Sequence, residues 1–157
     1  MEGQRSIDRI DKIILRTLQK NYRISNHLLA YSLHISDAKC AKRVRNLEQS
    51  GYILGYVVRL NPQKLDASVL VIIEVTLNAS TSNALLFFEQ QMQLTEEVLE
   101  CHLVTGTFHY LVKSRIRDLD SYADFVYKFQ SKFSNIKEIR SYVIQEEVKN
   151  TTDLHIA

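Results

Sequence analysis

The sequence predicts an α+β chain in two parts: a short helix-turn-helix unit, then strands and helices in the order βαββαβ. Three observations carry this. Apolar residues recur at helical spacing in three short segments between residues 8 and 50. Beyond residue 68, strand-like runs rich in Val, Ile and Leu alternate with two longer helical patterns. Between the two parts stands Pro62, the only proline of the 157 residues.

Ile10, Ile14 and Leu18 recur every fourth residue with Ile13 beside them, so residues 8–20 read as an amphipathic helix with Asp8 as its N-cap. The segment YRIS, residues 22–25, breaks the pattern, and Ser25 or Asn26 can cap a second helix carrying Leu28, Leu29 and Leu33. Ser36 then caps a third, in which Cys40, Val44 and Leu47 face inward and Gly51 closes the end with a positive φ. His34 holds the place in the tight turn where the backbone wants φ > 0, and histidine is among the residues enriched there. Two short helices so joined, with a third packed across them, form a helix-turn-helix of the winged-helix kind.

The β-rich run YILGYVVRL, residues 52–60, reads as a strand leaving the helical unit. NPQK, residues 61–64, reads as a stiff connector, because the residue before a proline is pushed to extended geometry. Residues 69–77 form a strand, and residues 82–94 a helix with Leu85, Phe88 and Met92 on one stripe. Two strands follow, over residues 98–105 and 110–116, joined by the turn at residues 106–109. Behind Asp118, the residues Leu119, Tyr122, Val126, Phe129 and Phe133 make a helical face, and residues 136–147 a last strand. This is the ferredoxin-like order, a sheet with its helices on one face. The expected domains are residues 1–60, a connector over 61–67, and residues 68–157. The first strand is apolar on both sides, with Leu70 and Ile72 on one and Val71, Ile73 and Val75 on the other. A strand buried on both faces needs a second layer, and a second copy of the chain is the economical one, so a homodimer is expected.

Composition narrows the classes. Hydrophobic residues at 45% and charged residues at 24% are ordinary globular values. Two cysteines, Cys40 and Cys101, set no disulfide framework and suggest a reducing compartment. No apolar run of about 18 residues occurs, and the polar start MEGQRSIDRIDK does not resemble a signal peptide. A cytoplasmic protein without a membrane partner is expected. The net charge of +2 hides an asymmetry: residues 1–60 hold eleven Lys/Arg and five Asp/Glu, residues 61–157 nine and thirteen. A basic first part facing an acidic second part points to a polyanion as the first part's partner.

The third helix, SDAKCAKRVRNLE, sharpens that reading. In a helix-turn-helix the second helix of the motif enters the major groove of double-stranded DNA, its N-terminal residues toward base edges. With Cys40, Val44 and Leu47 turned inward, the outer faces carry Asp37, Lys39, Lys42, Arg43, Arg45 and Asn46. Lys39, Lys42 and Arg43 are expected as DNA contacts, with Ser36, Asp37, Ala38 and Asn46 as possible readers and Arg45 facing either a phosphate or the first helix. A solvated helix face is the competing explanation of the charge. Cys101 and His102 are neighbours on a strand and point to opposite faces, no zinc-ligand spacing occurs, and neither a Gly-rich phosphate loop nor a Gly-x-Ser-x-Gly turn is present. Neither an enzyme nor a cofactor or metal is expected.

The runs IDRIDKIILRTLQKNYRIS, NHLLAYSLHIS and CAKRVRNLEQSGYILGYVVRLNP resemble the leucine-responsive/asparagine-regulator (Lrp/AsnC) transcription factors. The resemblance continues through VTGTFHYLVK to the terminal KNTTDLHI and covers nearly the whole chain. It implies a sequence-specific DNA-binding regulator whose second domain senses a small effector, commonly an amino acid, and dimers that assemble into higher oligomers. Effectors in this family bind near the turn after the second strand of the sensing domain, which usually reads Gly-Asp-Tyr-Asp. Here Thr105 precedes Gly106-Thr107-Phe108-His109, so the glycine is carried over and both acids are replaced. Residues Thr105, Gly106, Thr107, Phe108 and His109 are the expected effector site. A histidine titrates near ~6.5 when unperturbed, so His109 predicts an effector affinity that changes between pH ~6 and ~8. The family's terminal Leu-Pro-Leu is replaced by Leu154-His155-Ile156. Two other functions fit the residues: a small-molecule binding module without DNA function, and a nonspecific architectural DNA-binding protein.

Overall fold

The structure, a computed structural model, describes residues 6–78, 82–133 and 135–157. Its elements in chain order are α1 (Arg9–Lys20), α2 (Asn26–Ser32), α3 (Asp37–Gln49), β1 (Val69–Leu77), α4 (Ser82–Gln93), β2 (Val98–Leu103), β3 (Tyr110–Ile116), α5 (Asp120–Ser131) and β4 (Ile136–Val143). The α+β order read from the sequence holds. The chain divides into two compact units, one of residues 1–59 with 149–157 and one of residues 60–148. The last nine residues therefore cluster with the helical unit, whereas the sequence reading runs the second domain to the end.

Local chemistry explains the helix boundaries of the first unit. Asp8, Ser25 and Ser36 each accept a backbone N–H from the first turn of the helix that follows, satisfying a donor that the helix itself leaves open. The ends of α2 and α3 close alike. Behind α2, Ile35 N–H reaches Ala30 O and His34 N–H reaches Tyr31 O; behind α3, Tyr52 N–H reaches Leu47 O and Gly51 N–H reaches Glu48 O. This double closure needs a left-handed residue in the last place but one, and His34 (φ 53°) and Gly51 (φ 72°) supply it. Ile14, Leu29, Ala30, Cys40 and Leu47 make the buried centre, ringed by half-buried Ile7, Ile10, Leu18, Ile35 and Val44.

Residues 52–60 do not form the expected strand: the N–H groups of Tyr52 and Ile53 close onto Leu47 O, residues 54–60 join no strand ladder, and Leu54, Val57, Val58 and Leu60 are exposed. Branched and aromatic residues make such a run suited to a sheet, but no described strand pairs with it. The connector is also less uniform than expected: Asn61 is extended, and Pro62–Lys64 then coil into one 3-10 turn.

In the second unit the sheet order is β2-β3-β1-β4, all antiparallel. Val71, Ile73, Val75 and Leu77 of β1 share a face with Tyr110, Val112 and Ile116 of β3. On that face lie Phe88 and Met92 from α4, Phe125 and Phe129 from α5, and Phe133 just beyond it. Phe88 stacks 4.6 Å from Tyr110 and 4.9 Å from Phe133, centroid to centroid. The helical face of α5 differs from the expected one, with Leu119 exposed and Phe125 buried. Asp118 accepts Ser121 N–H at 2.8 Å, so the helix starts behind Leu119 and its inward stripe shifts. The strands at residues 98–105 and 136–147 also stop short of expectation, at Leu103 and Val143.

The opposite face of the sheet carries buried Leu70 and half-buried Ile72 and Leu111 among charged groups. Register puts Glu74, Glu100, His102, Lys113, Arg115, Glu138, Arg140 and Tyr142 on that face. Glu100 pairs there with Lys113 (2.8 Å) and His102 (3.1 Å), Arg140 with Glu138 (2.7 Å), and Tyr142 donates to Glu74.

Candidate nucleic-acid interface and effector turn

The cap at Ser36 and the Cys40, Val44 and Leu47 stripe present one side of α3 to solvent. Ala38, Lys39, Lys42 and Arg45 are exposed there, and Asn46 is half-buried. Lys39, Lys42 and Asn46 line a groove beside α1 whose apolar walls are Ile10 and Ile35. Two of the expected contacts are already engaged. Ser36 Oγ accepts Lys39 N–H as the cap, and Asp37 pairs with His27 across 3.0 Å.

Arg43 is placed differently from the expectation. Its guanidinium turns back to α1, where Nη1 donates to Asp8 Oδ2 and Asp11 Oδ1, both at 2.7 Å. Its side chain is 26% exposed, and that of Asp11 7%. The reason is electrostatic: a buried carboxylate beside Ile7, Leu47 and Tyr52 needs a cation, and Arg43 supplies it. The pair moves the titrations accordingly. The carboxyl of Asp8 lies below its ordinary range, first because Asp11 N–H donates to it and second because Arg43 does. Arg43 is shifted up by Asp11 first and Asp8 second. A carboxylate whose folded-state pKa is lowered adds stability above its unfolded value, and loses that contribution as pH falls through the folded value. The thermal unfolding midpoint of the helical unit should therefore be flat, as far as this pair goes, from pH 7 down to about 4 and fall below it. Because Asp8 is half-exposed, solvent screening keeps its part of that loss small.

Residues Thr105, Gly106 and Thr107 are exposed, Phe108 and His109 half-buried, and together they bend from β2 into β3. Gly106 has an ordinary φ, and a Cβ there would meet nothing within 4 Å. His109 is built into the sheet: its N–H donates to Val75 O, its carbonyl accepts Val104 N–H, and its Nδ1 accepts Leu77 N–H at 3.0 Å. An Nδ1 that accepts leaves Nε2 as the ring's donor in this arrangement. Beneath the turn, Tyr110 donates to Glu89 at 2.8 Å, and burial raises the phenol's pKa. Cys101 is half-buried, and its thiol is pushed up to about 11 by burial first and the charge of Glu89 second. It is not a reactive cysteine.

Sequence reasoning missed three features. Asp8, read only as an N-cap, and Asp11, not singled out, are Arg43's partners; the Asp-x-x-Asp spacing at a helix start was the available signal. His27 was not singled out, yet it holds Asp37. The terminal residues lie along α1, where Gln19 bonds both the N–H and the carbonyl of Leu154 and Arg16 holds the carbonyl of Ile156.

Comparison with known proteins places this arrangement. A winged helix-turn-helix DNA-binding model matches residues 7–53, and an Lrp/AsnC ligand-binding-domain model matches residues 70–154. The chain is 42% identical over 152 residues to the leucine-responsive regulatory proteins of Escherichia coli K12 and of Klebsiella pneumoniae, covering 97% of this chain and 93% of theirs. Among solved structures, a Neisseria meningitidis transcriptional regulator in complex with L-Met superposes with TM-score 0.90 at 27% identity, over 96% of this chain and 97% of that one. An AsnC family regulator of Agrobacterium tumefaciens gives TM-score 0.90 at 28% identity, over 95% and 97%. With a helix-turn-helix in front and a ligand-binding sheet behind, and relatives matched over almost their whole length, the chain belongs to the Lrp/AsnC family of transcriptional regulators.

Proposed function

We propose that the chain contacts its operator through α3, with Lys39, Lys42 and Arg45 on DNA and Ala38 and Asn46 beside them, and that an amino acid acting at residues 105–109 modulates this contact. The observation that supports the DNA side is the exposed basic face of a helix capped and braced at both ends. Lysine and arginine there can meet phosphates or guanine edges, and Asn46 an adenine. Dimers paired through the sheet would carry two such helices to half-sites about 34–36 Å apart, or multiples of that spacing in larger assemblies. Leu70 and Ile72, central on the face that α4 and α5 leave open, support that pairing. The absence among the described residues of a helix able to cross a membrane and relatives that are transcriptional regulators agree with a non-enzymatic cytoplasmic role.

For the effector, the support is the open space around Gly106 and the L-Met bound to the Neisseria regulator. His109 is held within this turn by its Nδ1, which accepts Leu77 N–H. The test uses the full chain and an operator selected from random-sequence duplexes. Its DNA affinity is titrated with each of the twenty amino acids at pH 6 and pH 8. At least one amino acid should shift the affinity severalfold, by different factors at the two pH values, and His109→Ala should abolish the difference. Tight operator binding that no amino acid moves would remove the effector half; no selected sequence at all would remove both.

A further inference from the structure

We infer that Arg43 is a positioning residue, which locks the recognition helix in rotation and register by bridging two carboxylates of α1, and is not itself a DNA contact. The four oxygens of those carboxylates are all used. Asp8 Oδ1 accepts Asp11 N–H at 2.9 Å and Asp11 Oδ2 accepts Asp8 N–H at 3.3 Å, the reciprocal box that starts α1. The remaining two, Asp8 Oδ2 and Asp11 Oδ1, both accept Arg43 Nη1. One guanidinium thus ties the middle of α3 to the rigid first turn of α1. The two charge-assisted hydrogen bonds are directional, and so add a fixed geometry to the apolar packing of Cys40, Val44 and Leu47.

Register matters here because side chains advance about 100° and 1.5 Å per residue along a helix. With Arg43 held against α1, Arg45 points about 200° and Lys42 about 100° away from it, both toward solvent. A slip of one residue would carry either out of a groove.

A positioning role and a contact role for Arg43 differ in the sign of one measurable effect. If Arg43 reached a phosphate and were only restrained by Asp11, then Asp11→Asn would free it, remove an acid and tighten DNA binding. As a positioning pair, Asp11→Asn and Arg43→Ala should each weaken binding about tenfold and leave the dependence of affinity on salt unchanged. Both should also broaden the base preference of sequences recovered by selection from random duplexes, while Arg43→Lys restores most of the preference. Asn still accepts the N–H of a capping box, so Asp11→Asn keeps α1 closed and folded; Asp8→Asn serves as a milder second variant. Affinities are referred to the active fraction, found by stoichiometric titration of full-length protein. Three outcomes would overturn the inference: a salt slope lower by about one in Arg43→Ala, tighter binding by Asp11→Asn, or unchanged base preference with only fewer active molecules.

Discussion

Phe88→Ala is expected to cost the ligand-binding unit about 3–5 kcal/mol, the largest loss of any single replacement discussed here. Phe88 is fully buried and touches both helices and the sheet: Tyr110 of β3, Phe129 of α5 and Phe133 lie round its ring. Removing it leaves a void that several aromatic rings share, and rigid rings fill voids poorly. Leu86→Ala, two residues earlier on the same helix and 55% exposed, should change stability by less than about 0.5 kcal/mol. With no tryptophan and eight tyrosines in the chain, tyrosine circular dichroism in the near ultraviolet follows the unfolding in urea. Equal midpoints for the two variants would mean that α4 is not packed as described.

The second large effect lies on DNA. Lys42→Ala and Arg45→Ala should each lower the affinity for a selected operator by about ten- to a hundredfold. Each should also reduce the slope of log K against log salt by about one, because a phosphate neutralised by a side chain releases about 0.9 of a counterion. Lys42 and Arg45 are i, i+3 neighbours about 60° apart on α3, so the two losses should couple and not simply add. Lys128→Ala, an exposed cation on α5, should leave affinity and slope alone. Slopes unchanged in Lys42→Ala and Arg45→Ala would assign the exposed face of α3 to solvent.

These two variants contrast with Arg43→Ala, and the contrast shows how far helical periodicity carries. Period separates the inward stripe of α3 from its outer side, and Lys42 and Arg45 follow directly from it. Arg43 stands at the margin of the stripe, where a side chain can turn either way. Which way it turns depends on Asp8 and Asp11, more than thirty residues earlier. His109 is a parallel case. Its place in the turn is legible from its neighbours, but its imidazole nitrogen is used by Leu77 on a strand thirty-two residues away.

What the sequence by itself determined is local: the helix starts at Asp8, Ser25 and Ser36, the left-handed closures at His34 and Gly51, the βαββαβ order and most of the inward stripes. Each rests on groups within a few residues of one another, where spacing alone fixes who can reach whom. The tertiary structure decided the rest: the partners of Arg43 and His109, the course of residues 54–60 outside any strand ladder, and the return of residues 149–157 to the helical unit. Charge pairs and strand edges are satisfied by whatever the fold brings within about 3 Å, and a pattern that says only inside or outside leaves that choice open.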